Sequence, residues 1–106
     1  MTAAVTFGKY IANLRKDKGL SQKELAALII REEDKKSISP QYLNDIERDR
    51  RNPSSDHMMH QFAAALGTDP DYLFYLAGSF PDDVRAANAS PEVVAMAFKA
   101  FRRSAG

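Results

Sequence analysis

An all-α fold is predicted here, five short helices closely packed and followed by a further C-terminal helix. Three observations predict it. Apolar residues recur at helical rather than alternating spacing. Ser or Asp, several times followed by Pro, opens five of the six periodic stretches, and Gly closes three of them. No run of β-branched residues alternates as a half-buried strand would.

The first helix is predicted from about Thr6 to Lys18, because Phe7, Ile11 and Leu14 recur at i, i+4, i+7 and Gly19 follows as a stop. "SQKELAALII" restarts at once, with Ser21 as N-cap, Glu24 completing a capping box, and Leu25, Leu28 and Ile29 apolar. Helix two is placed at about residues 21–30. The charged run "REEDKKS", residues 31–37, comes next. It is read as an extension of helix two, since Glu, Lys and Arg are good helix formers; the other reading is a charged loop.

Ser39 then caps a third helix over about 39–48, with Pro40 in its first position and Leu43 and Ile46 inward. Ser55 caps a fourth, with Met59, Phe62, Ala63 and Leu66 on one face and Gly67 at its end. In "TDPDYLFYLAG" Asp69 and Pro70 repeat the start signal and Gly78 the stop, giving a fifth helix. Asp82 to Ala87 has the pattern for a turn or two. "SPEVVAMAFKAFRR" then predicts a tail helix over about 90–103. The domain is drawn at residues 1–78 and the tail at 79–106.

Composition narrows the function. A chain of 106 residues suits one domain with a modest core, and 44% apolar and 27% charged residues are ordinary for a globular protein. The absence of cysteine removes disulfides, thiolate metal sites and cysteine nucleophiles. With no signal-peptide pattern and no membrane-length apolar run, a cytoplasmic location without membrane contact is expected. Net charge is +1, but residues 1–25 hold five basic residues against two acidic, and residues 56–106 four against six. The first half is suited to face a polyanion.

Helix three carries the sharpest signal. At about 100° per residue, Gln41, Asn44, Asp45 and Arg48 lie opposite the Leu43–Ile46 side. Short donors and acceptors of this kind suit base edges in a major groove. Gln22 and Lys23 at the start of helix two, and Arg48, Arg50, Arg51 and Asn52 after helix three, provide amides and cations on both flanks. That is an arrangement for phosphates. Glu47 lies only about 70° from the apolar centre of its helix, so a buried carboxylate there needs a partner. Arg15, on the core shoulder of helix one, is the expected one.

"KGLSQKELAAL", "ISPQYLNDIERDRRNPS" and "FAAALGTDPDYLFYLAG", in that order over roughly residues 6–78, resemble the Cro/phage-repressor (Xre) type of helix-turn-helix protein. The resemblance implies a compact five-helix lambda-repressor-like domain. It also implies binding to palindromic double-stranded DNA as a homodimer, with helix three in the major groove. By position, Gln22 would hydrogen-bond a phosphate and brace helix three. Ser39, Pro40, Gln41 and Asp45 would contact bases, with Tyr42 and Asn44 beside them, while Arg48 through Asn52 would hold phosphates. An Arg15–Glu47 pair also matches an internal ion pair of phage repressors.

Three departures from the family's pattern stand out. The insertion 31–37 lengthens a turn that is usually short and contains Gly. Asp49 replaces the Gly that usually ends helix three. Asp45 puts a carboxylate beside DNA, for which three roles stay open: acceptance from cytosine, neutralisation by Arg48, or rejection of other sequences.

His57 and His60 lack a third metal ligand, no acid/base pair or nucleophile stands at a recognisable spacing, and neither enzyme activity nor a cofactor is expected. Phe80, Val94, Phe98 and Phe101 exceed what a five-helix core needs. They either fold back on the domain or form a symmetric dimer contact. The function expected is a sequence-specific, dimeric transcriptional regulator, a repressor acting by occlusion. The alternatives are the antitoxin of a toxin–antitoxin pair, its tail holding a protein partner, or a helical protein-interaction module.

Overall fold

The computed structural model describes residues 5–53 and 55–106. Among these, seven helices follow in order: α1 (Phe7–Asp17), α2 (Gln22–Leu28), α3 (Pro40–Glu47), α4 (Asp56–Leu66), α5 (Pro70–Leu76), α6 (Asp82–Ala86) and α7 (Pro91–Ala105). Each of the first five and the last starts where a side-chain oxygen takes up a free backbone N–H. Thr6, Ser21, Ser39, Ser55, Asp69 and Ser90 fill that role. At α2 the capping box is reciprocal: the Ser21 N–H donates to Glu24 at 2.9 Å and the Glu24 N–H to Ser21 Oγ at 3.0 Å.

The helices enclose one apolar core. Phe7 and Ile11 of α1, Leu25 of α2, Leu43 and Ile46 of α3, Phe62 and Leu66 of α4, and Leu73 and Phe74 of α5 are all buried. Phe62 sits centrally, edge-on to Phe7 with ring centroids 6.2 Å apart. α3 packs on α1 and α2, and α4 supports α1, α2 and α5 from behind. Among the described residues this leaves one long side of α3 uncovered.

The chain between α2 and α3 departs from expectation. Helix two does not run on into the charged segment: α2 ends at Leu28, and Ile29 is extended at φ −99°, ψ 107°. A short hairpin follows, closed by an antiparallel bridge between Ile30 and Ser37. The Arg31 N–H donates to the Lys36 carbonyl at 2.8 Å, and the Ile38 N–H to the Ile29 carbonyl at 2.9 Å. The reason is tertiary. Ile29 and Ile38, one on each side of the run, are both buried in the core, so the segment must return to its own starting point. A helical extension of seven residues would carry the chain about 10 Å away.

α6 docks on α4: Arg85 Nη2 lies 2.6 Å from Asp56, and His60 Nε2 lies 3.1 Å from Asp82. α7 buries none of its residues. Its Phe98 and Phe101 rest beside Phe80 and Tyr75, each at 5.8 Å between ring centroids, yet Phe80, Val94, Phe98 and Phe101 all stay exposed. The tail leans on the domain without being absorbed into its core.

Candidate nucleic-acid interface

α3 is positioned from behind by polar contacts as well as by Leu43 and Ile46. Arg15 Nε donates to Glu47 Oε2 at 2.7 Å and Arg15 Nη2 to Glu47 Oε1 at 3.0 Å, a two-point pair between α1 and α3. Both residues are 9% exposed. The third arm of the guanidinium, Nη1, donates to the Leu20 carbonyl at 2.8 Å. The Glu47 hydrogen bond raises the Arg15 pKa against the opposing effect of burial. Gln22 adds α2 to the network, its Nε2 reaching Glu47 Oε1 at 3.0 Å and Asn44 Oδ1 at 3.2 Å. Three helices are thus pinned together around one carboxylate, and every buried polar side-chain atom among the described residues has a partner.

The end of α3 is tied down by residues that periodicity does not reveal. Asp49 takes the left-handed conformation, φ 60°, in place of a glycine. Its carboxylate accepts from Thr6 Oγ1 at 2.6 Å and from the Gly8 N–H at 2.9 Å. Gly8 lies against the last turn of α3, where an added Cβ would meet the Ile46 carbonyl, the Glu47 carbonyl at 2.6 Å and Asp49 Oδ1 at 2.7 Å. Glycine inside a helix is costly, and that cost is the one sequence signal for a close approach.

The opposite side of α3 faces outward. Ser39, Pro40, Gln41 and Arg48 are exposed, and Tyr42, Asn44 and Asp45 are half-buried. Gln41 Nε2 donates to Asp45 Oδ1 at 3.1 Å, one turn along. Asp45 is thus engaged by Gln41, and no ion pair joins it to Arg48 among the described residues. Asn44 is turned toward Gln22, which removes part of its hydrogen-bonding capacity from the outer face. Ser39 Oγ caps the helix, accepting from the Tyr42 N–H at 3.0 Å.

Cations flank this face. Lys23, Arg48, Arg50 and Arg51 are exposed, as is Asn52, and none of the four cations has a carboxylate within ion-pair distance among the described residues. The Arg51 guanidinium stands 4.8 Å over the centre of the Tyr42 ring, a cation–π contact that holds the loop against α3. Gln22 against Asn44 and Arg51 against Tyr42 therefore set the start of α2 and the following loop beside α3. His57 and His60 part company: His57 Nε2 meets the Ile30 carbonyl at 3.0 Å while His60 turns to Asp82.

Comparison with known proteins agrees with this architecture. The family model described as Helix-turn-helix matches residues 11–73, from α1 into α5. An uncharacterized HTH-type transcriptional regulator, y4dJ, of Sinorhizobium fredii (strain NBRC 101917 / NGR234) is 40% identical over 60 residues, covering 57% of this chain and 68% of that protein. No solved structure matches significantly. The family match contains α2, α3 and most of the supports that fix them. The chain belongs to the Cro/C1-type helix-turn-helix family.

Proposed function

We propose that this protein is a sequence-specific DNA-binding transcriptional regulator that represses by occupying a palindromic operator as a homodimer. One observation carries the reading: the outer face of α3 presents Gln41, Asp45 and Arg48 while its inner face is locked through Glu47 to Arg15 and Gln22. A helix held this firmly from behind, with adaptable donors and acceptors in front, is preorganised for a major groove. Gln41 and Asp45 act as a donor–acceptor pair for base edges, helped by Ser39, Pro40, Tyr42 and Asn44. Lys23, Arg48, Arg50, Arg51 and Asn52 hold phosphates on either side, while the Gln22 amide, whose two N–H donors go to Glu47 and Asn44, braces α3.

The dimer reading is supported by α7. Val93, Val94, Phe98 and Phe101 are 39–55% exposed. With Phe80 and Val84 they line an apolar groove of about 690 Å³. An exposed apolar surface of this kind calls for a protein neighbour, and a second copy would set two recognition helices about 34 Å apart. The same groove also suits a second reading, in which the tail holds a different protein, as an antitoxin holds its toxin. No described helix is long and apolar enough to cross a membrane, and a cytoplasmic location accords with a regulator of this kind.

The test is a mobility shift with fragments of the protein's own promoter at physiological salt. A shift at submicromolar protein, with the stoichiometry of a dimer, is the expected result. Folded protein that shifts none of these fragments at micromolar concentration would overturn the reading in favour of a helical protein-interaction module.

A further inference from the structure

The hairpin between α2 and α3 has no net charge, with three basic and three acidic residues from Arg31 to Lys36, but its acids are taken up by Arg31 and by α4. Asp34 pairs with the Arg31 guanidinium and also accepts from the Lys36 N–H at 3.0 Å. Glu33 lies 3.7 Å from Arg31 Nε, and Glu32 lies 3.9 Å from His57 Nδ1 on α4. All three acids are directed at Arg31 or at α4. Lys35 and Lys36 are exposed, and neither has a carboxylate within ion-pair distance among the described residues.

The hairpin is also fixed in place. Its base is anchored by buried Ile29 and Ile38. Gln61 accepts from the Ile30 N–H at 3.2 Å and His57 meets the Ile30 carbonyl at 3.0 Å, both from α4. Lys35 sits at φ 59°, a conformation usually left to Gly or Asn. Ser37 adjoins Ile38 and Ser39, so the hairpin enters the first turn of α3 directly. The Ile30–Ser37 bridge closes the hairpin two residues before Ser39, whose hydroxyl caps α3 by accepting from the Tyr42 N–H at 3.0 Å. Tyr42 in turn carries Arg51 on its ring. The hairpin, the flank of α3 and the loop after it therefore form one continuous edge.

We propose that this hairpin is an additional phosphate-holding element, in which Lys35 and Lys36 contact the DNA backbone beside the groove entered by α3. The inference rests on the DNA-binding reading above and adds a contact region to it. Two ammonium groups on a turn offer charge without bidentate geometry, so they add affinity without reading bases. The rigid base of the hairpin reduces the ordering cost of making these contacts.

The experiment compares wild type with Lys35→Asn/Lys36→Gln, in which Asn tolerates the left-handed backbone at position 35. Binding to a promoter duplex is followed by fluorescence anisotropy over a range of salt concentrations. The slope of log affinity against log salt should become shallower by about 1.8 per protomer, or about 0.9 for each phosphate no longer neutralised. Affinity should fall by the same factor for unrelated duplexes, and the melting temperature should not move. Lys35→Arg/Lys36→Arg should keep the wild-type slope, and Lys99→Gln on α7 should leave it unchanged. A wild type that binds, beside a charge-removed variant with the same slope and affinity, would overturn the proposal alone. A wild type that binds no duplex at all would overturn it together with the DNA-binding reading.

Discussion

Arg15 of α1 and Glu47 of α3 face each other through two parallel hydrogen bonds of 2.7 and 3.0 Å, buried between the helices that they join. The Leu20 carbonyl and the Gln22 amide complete the network. Removing one member leaves a buried charge whose desolvation is no longer offset, which costs about 3–5 kcal/mol, whereas apolar replacement of both members is often neutral. Arg15→Met should therefore destabilise the protein strongly in urea unfolding, and Arg15→Met/Glu47→Leu should recover most of the loss. DNA binding should not recover to the same extent in the double variant, because the outer face of α3 would lose the bracing by Gln22.

Gly8 packs against backbone rather than against side chains that can move aside. Alanine there gains about 1 kcal/mol of helix propensity, but its methyl group meets the carbonyls of Ile46 and Glu47. Overpacking against fixed atoms costs about 1–3 kcal/mol, so the steric loss should exceed the gain. Thermal melts of Gly8→Ala should show a net loss of stability, and a variant as stable as wild type would mean that α1 and α3 can separate freely.

Two exposed carboxylates tie stability to pH. The Ser21 backbone N–H, then its hydroxyl, hold Glu24 below its ordinary value of 4.5. Arg31, then the Lys36 N–H, hold Asp34 below 3.8. With the folded pKa depressed, the unfolded chain takes up protons first as pH falls. The contribution is therefore complete above about 4.5 for Glu24 and 3.8 for Asp34, and it is lost as pH drops through the folded values. Glu24→Gln/Asp34→Asn should flatten the acid limb of a stability-versus-pH curve while leaving its shape above neutrality unchanged.

The front of α3 and its flank should respond differently to truncation. Gln41→Ala should lose about 1–3 kcal/mol at one operator position and relax specificity there, since a base-edge contact discriminates by that amount. Arg51→Ala should weaken all DNA sequences about equally and flatten the salt dependence. Binding assays on a panel of single-base operator variants separate the two outcomes. A Gln41→Ala protein with an unchanged preference at every position would remove that residue from the reading set.

Local signals suffice for much of the fold. Ser21 with Glu24, Ser39 with Pro40, and Asp69 with Pro70 mark helix starts because a free N–H needs an acceptor within three residues, and that requirement is visible in the chain. Leu43 and Ile46 likewise identify the inward side of α3, and the angular position of Glu47 points to a need for Arg15. Less legible are contacts between residues far apart in sequence. The charged run is helical by propensity, but the burial of both Ile29 and Ile38 makes it a hairpin. Asp49 reads as a tolerated substitute for glycine, but it also ties down the start of α1 because Thr6 and Gly8 lie beside it in space.

The sequence by itself determined where helices begin, which sides they bury and which polar side chains α3 has to offer, because each depends on neighbours within a turn or two. Only the tertiary structure decided that Asn44 turns toward Gln22, that Asp49 holds the start of α1, and that the charged run folds back as a hairpin whose Glu32 approaches His57 of α4. Those outcomes depend on which side chains meet across elements, and the packing of the core settles that.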